Sequence, residues 1–192
     1  MNKLFLVALC CLFVACRTQK IPCVIETAVG NIEVELYPQK APITVSNFMS
    51  YVDKELYNNS SFFRVCTPAN EANRNIKIEV IQGGNVPENL LLDSIAIETT
   101  HKTKLLHKNG TLSMARSGPL SAQSEFFICI NRQAQLDFGG KRNPDGQGFA
   151  AFGAVTKGMD VVKKIQSQAD SNQYLIKPIV IYTIRKVPKK KK

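Results

Sequence analysis

Only two stretches of this chain keep a helical period, and most other apolar residues sit in short runs broken by turn formers. In "APITVSNFMSYVDKE", Val45, Phe48, Met49 and Val52 recur at the steps of a buried helical face. Pro42 suits the first turn, where no amide donor is needed. "GMDVVKKIQSQ" reads as the second helix, with Val161, Val162 and Ile165 on one face. Elsewhere the period is two. "CVIETAVGNIEVELY" predicts two strands around Gly30-Asn31, in which Ile32, Val34 and Leu36 alternate with Glu33 and Glu35. "SFFRV", "IKIEVIQGG", Phe149–Val155 and "KPIVIYTIRKV" read as further strands, and "CTPANEANRN" as an exposed loop between two of them. "LDFGGKRNPDGQG" is dense in turn formers and reads as loop. Many short strands with two helices predict a closed barrel or sandwich whose open ends the helices cover.

The N-terminus reads as a targeting segment. "MNKLFLVALCCLFVAC" has one positive charge at Lys3, an apolar run from Leu4 to Val14, and a small residue before Cys16. That run falls well short of the roughly 20 residues that span a bilayer, which suits a signal peptide rather than an anchor helix. "FVAC" resembles a bacterial lipobox, with Phe13 where leucine is usual, and so implies that Cys16 is lipidated and begins the mature chain. The expected division is residues 1–15 as signal peptide, 16–21 as lipidated tether, 22–187 as one domain and 188–192 as a basic tail. Cys23, Cys66 and Cys129 then remain, an odd number with no CxxC pair or metal-ligand spacing. The formal charge of +10 includes the terminal "KKKK", and basic residues interleaved with aromatics are absent, so nucleic acid is not an expected partner. The tail reads as a solvated end or as a complement to anionic lipid.

The stretch "GTLSMARSGPLSAQSEFFICI" raises a separate question. Nine residues, Arg116 to Ser124, separate its two apolar runs, although a plain hairpin needs only two. Such an excursion suggests that the connection itself builds a surface. With "APITVSNF", "FFRV", "IQGG", "LDFGG" and "FGAVTKGMDVV" in the same order, it resembles the cyclophilins, a family of peptidyl-prolyl isomerases, over nearly the whole mature chain. The resemblance implies a mainly β fold, a closed eight-stranded antiparallel barrel capped by two α-helices. It also makes the loop before "FFI" one wall of a peptide groove.

The resemblance assigns roles residue by residue. Arg64 is the catalytic arginine and Gln82 the glutamine that orients it. Phe127 forms a pocket floor, Leu136 a wall, and Ala115 a contact with the peptide backbone. Other positions depart from the family pattern: Glu79 and Val80 stand where Phe-Met is common, Arg116 replaces asparagine, and Glu125 replaces glutamine. The pocket histidine is missing, with Phe149 at or near its place, and His107 aligns outside the pocket. Glu79 and Glu125 are expected within reach of Arg64 or of the peptide, with Arg116 able to engage Glu125. No nucleophile–His–acid set or metal cluster is visible in the sequence.

The implied reaction needs no cofactor. Rotation about an X–Pro bond breaks amide resonance over a barrier of roughly 20 kcal/mol. Catalysis must therefore hold the twisted amide better than either planar form. The expected protein is a monomeric, envelope-localised isomerase acting on proline-containing polypeptides, lipid-tethered to a membrane and free of metal. The alternative is a chaperone-like module that keeps the groove but catalyses weakly.

Overall fold

A computed structural model describes residues 19–188. The expected signal peptide, Cys16 and the terminal lysines 189–192 lie outside the described residues. In chain order the elements are β1 (Ile21–Thr27), β2 (Gly30–Leu36), α1 (Pro42–Asp53), β3 (Ser60–Cys66), β4 (Val80–Gly83), α2 (Thr100–Thr103), β5 (Thr111–Met114), β6 (Phe126–Cys129), β7 (Ala150–Lys157), α3 (Met159–Gln166), β8 (Asp170–Ser171) and β9 (Tyr174–Lys186). Every strand pairing is antiparallel, in the order β1-β2-β7-β5-β6-β4-β3-β9. Pairing of β1 with β9 closes the circle, so eight strands form a barrel without free edges. The two-residue β8 only folds back on the start of β9.

The period-two pattern sends alternate side chains inward. Ile25, Ile32, Leu36, Phe62, Ile81, Leu112, Phe126 and Phe152 are fully buried in one core. Both longer helices press into it, α1 through Phe48, Tyr51 and Val52 and α3 through Val162 and Ile165. Phe48 alone meets Tyr57, Phe126 and Phe152 at ring-centroid distances of 5.2, 5.4 and 5.1 Å. Burial of such a side chain contributes about 1.5–3 kcal/mol. The N-terminus of α1 lacks a local side-chain cap. Glu98 supplies one from 54 residues away, accepting from Thr44 N at 2.7 Å and Thr44 Oγ1 at 2.6 Å.

The structure departs from the sequence reading in four places. The first hairpin turns at Ala28-Val29, one residue pair earlier than expected. A third, one-turn helix appears at α2. β4 is only four residues long, because Ile78 N donates to the Glu71 carboxylate at 2.7 Å rather than to a strand. Glu71 itself is 1% exposed, so the segment read as an exposed loop carries a buried charge.

Candidate active site

The outer face of β3, β4, β6 and β5 holds a second apolar cluster. Along β6, Phe126 and Ile128 join the barrel core, whereas Phe127 and Cys129 face the other way. Phe127 and Cys129 meet Cys66, Ile78, Val80 and Leu136 there, with Ala115 and Phe149 packed at the side. A bulge in β3 makes Phe63 the extra residue, so that Arg64 pairs with Gln82 across β4. Arg64 and Gln82 join Ile78, Val80, Ala115, Phe127, Leu136 and Phe149 around a cavity of about 230 Å³, whose floor is apolar and whose walls also carry Arg74, Arg116, Arg142 and Asn143.

Arg64 is braced from two sides. Its Nη1 donates to Gln82 Oε1 at 2.7 Å, and its Nε donates to Gln173 Oε1 at 3.0 Å. Nη2 donates to the same Gln173 oxygen. A guanidinium has five N–H groups. One on each terminal nitrogen is thus left without a protein acceptor among the described residues. Both partners are neutral amides, and carboxylates stand one step behind them. Gln82 Nε2 donates to Glu125 Oε2 at 2.7 Å, and Gln173 Nε2 donates to Glu71 Oε1 at 3.3 Å.

Two loops complete the walls. Arg142 pairs with the fully buried Glu71 and also donates to Ile76 O at 2.6 Å. Burial pushes the Glu71 carboxyl up, but hydrogen bonds from Arg142 and Ile78 N and the charges of Arg142 and Arg74 hold it below its ordinary value. Arg116 forms a bidentate pair with Asp145 at 2.7 and 2.9 Å and donates from Nε to Gly148 O at 2.8 Å. Its guanidinium lies 5.3 Å from the Phe149 ring centroid, and Phe149 meets Phe127 edge-on at 5.4 Å.

Beneath the floor, the His107 ring stacks on Phe127 at 6.0 Å. His107 Nδ1 donates to the Asp137 carboxylate at 2.8 Å, and Nε2 lies 2.9 Å from Ser113 Oγ. A Ser–His–Asp set therefore exists, contrary to the sequence reading. Ser113 and His107 are both 0% exposed and neither lines the cavity, so the set supports the floor and offers no nucleophile to a ligand. Burial keeps Cys23, Cys66 and Cys129 as neutral thiols. Burial pushes Cys66 up to about 11, against the lowering charge of Arg64, and raises Cys129 well above its ordinary value.

A sequence model of the family described as cyclophilin type peptidyl-prolyl cis-trans isomerase/CLD matches residues 23–186. The chain belongs to the cyclophilins. It is 43% identical over 143 residues to a peptidyl-prolyl cis-trans isomerase of Acinetobacter baylyi, covering 73% of this chain and 69% of that one. It is 35% identical to isomerase B of Escherichia coli, covering 73% and 80% of the two chains. A crystal structure of a Cryptosporidium parvum cyclophilin superposes with a TM-score of 0.66 at 22% identity, over 88% of this chain and 99% of that one.

Among the site residues expected from sequence, this cyclophilin brings Arg64, Gln82, Phe127, Leu136, Ala115, Val80, Phe149 and Arg116 together around one cavity. Glu79 is not among them. Strand alternation puts Ile78 and Val80 on the cavity side, and Glu79 instead accepts from Asn131 Nδ2 at 3.1 Å. Glu125 touches neither Arg64 nor Arg116, and reaches the arginine only through Gln82. Sequence reasoning missed Ile78, Gln173, Glu71, Arg142 and Asn143. The alternation of "IKIEV" was the available signal for Ile78, whereas Gln173 lies 109 residues from Arg64 with no motif around it.

Proposed function

We propose that this cyclophilin accelerates cis–trans rotation of X–Pro bonds by seating the proline ring in the 230 Å³ cavity and turning Arg64 toward the imide nitrogen. The observation that carries the reading is the bracing of Arg64 by two neutral amides, with N–H groups to spare, at the edge of a cavity with an apolar floor. As the amide twists, its nitrogen regains a lone pair and becomes an acceptor. A donor already fixed in a partly dry groove stabilises that state without proton transfer or covalent chemistry. No cofactor enters this scheme. A coupled isomerisation assay on short X–Pro peptides tests it, with acceleration over the uncatalysed rate as the expected result.

The finer reading is a lipid-tethered monomer acting on secreted or envelope polypeptides as they fold. Its support is the short apolar run that ends in "FVAC", with a small residue just before Cys16. A second reading, a peptide-holding module with little turnover, draws on Phe149 in place of a pocket histidine. Peptide binding without acceleration in the same assay would favour it.

A further inference from the structure

We infer that Glu125 makes this enzyme selective for prolines flanked by lysine or arginine. The inference rests on the isomerase reading and concerns the substrate class of the same site.

A second cavity of about 300 Å³ adjoins the first, and Gln82, Ala115 and Arg116 line both. A peptide with proline seated in one therefore runs on over Ala115 into the other. The walls of the second cavity come mainly from the loop between β5 and β6, including Ser117, Ser121 and Glu125. That loop is tied down from several sides. Tyr57 Oη donates to Ser124 O at 2.7 Å, Asn47 Nδ2 donates to Gln123 O at 2.7 Å, and Ile95 N donates to Ala122 O at 2.9 Å. Within it, Ser121 Oγ accepts from Gly118 N at 2.7 Å. The long excursion between the strands is thus a fixed wall, and a ligand meets groups already in place.

Two charged residues line this cavity, and only one is free. Arg116 is spent on Asp145 and Gly148, and its side chain is 1% exposed. Glu125 pairs with no cation among the described residues. Its Oε2 accepts from Gln82, while Oε1 has no partner among them. The bond from Gln82 orients the carboxylate without neutralising it. The result is an oriented negative charge at the point where the chain leaves the proline socket. A lysine or arginine on the flank supplies the missing counter-charge, and an acidic flank meets repulsion.

The test measures kcat/KM for matched peptides that carry Lys, Gln or Glu at each of the two positions before and after proline. Wild type and Glu125→Gln are compared, because glutamine keeps an acceptor for Gln82 and removes only the charge. At the position that reaches the cavity, the wild type should prefer Lys over Glu by about fivefold, the size of a partly exposed ion pair. The preference should shrink toward one in Glu125→Gln, and in the wild type as salt is raised. Equal Lys/Glu ratios in the two proteins at all four positions would overturn the inference while leaving the isomerase reading intact. If no peptide is turned over, the isomerase reading itself fails. The ratio of Kd values for the same peptides, in the same two proteins, then decides the charge preference.

Discussion

Arg64 carries its positive charge between two glutamine carbonyls. A carboxylate partner would fix the guanidinium as firmly but would also compete for the donor that the twisted amide needs. Arg64→Ala is expected to lower kcat/KM at least tenfold, about 1.4 kcal/mol of transition-state stabilisation, with the fold unchanged by thermal unfolding. Arg64→Lys should not restore it, since a compact ammonium on a flexible stem lacks the planar fork that two glutamine carbonyls hold in one orientation here. Gln173 offers a sharper test. Asn172 and Gln173 form the two-residue turn between β8 and β9, at φ values of 51° and 76°. Such a turn favours glycine at its second position, so a glutamine here keeps a strained backbone in exchange for bracing Arg64. Gln173→Gly should lower kcat more than it raises KM while stability stays within about 1 kcal/mol, because relief of strain offsets the lost hydrogen bonds. A loss of stability with kcat unchanged would make Gln173 merely structural. Arg64, Gln82 and Phe127 were legible in sequence because each sits inside a short motif on one strand. Gln173 was not, because nothing local shows which turn faces which strand across the barrel.

At the scale of elements, periodicity served where a segment was long enough to have one. α1 and α3 were legible, whereas α2 is too short to express a period. The loop before β4 was misread because its composition is polar, and composition does not reveal that Glu71 turns inward to meet Arg142, 71 residues away. That buried pair clasps two loops over the cavity and stands behind Gln173. Removing one member of such a pair typically costs about 3–5 kcal/mol, so Glu71→Ala should be strongly destabilised. The pH dependence follows from the direction of the shift. The Glu71 carboxyl is lowered in the folded state, so its contribution is complete above the ordinary carboxylate pKa, about 4.3, and is lost as pH falls through the lower folded value. Asp137, pushed up by burial but lowered further by its bonds to His107, acts in the same sense. Thermal unfolding from pH 7 to pH 2 should give Glu71→Gln a lower Tm at neutrality and a shallower acid decline than wild type. Parallel curves would mean that the pair contributes nothing to acid sensitivity.

At the scale of the whole molecule, closure of the barrel brings the two ends of the domain together. Cys23 pairs with Lys186 across β1 and β9, and Val187 N donates to Pro22 O at 2.9 Å. The chain therefore enters and leaves the domain side by side. Cys16 lies five residues before Ile21, a reach of at most about 17 Å in extended chain. If Cys16 carries lipid, the domain is held close to the bilayer with the start of its basic tail beside the tether. An acyl chain at Cys16 and the lysines that follow Pro188 would then act as two anchoring signals, each lysine near an anionic surface contributing about 1 kcal/mol. The native protein should then fractionate with membranes, and intact-mass measurement should find an acylated Cys16 at its N-terminus. Cys16→Ser should lose the modification and leave the membrane fraction. Replacing Lys189 to Lys192 with serine should leave acylation intact but weaken binding to vesicles containing anionic lipid, with little change on neutral vesicles. An unmodified N-terminus on the native protein would remove the lipid tether, and the lysines would revert to a solvated end.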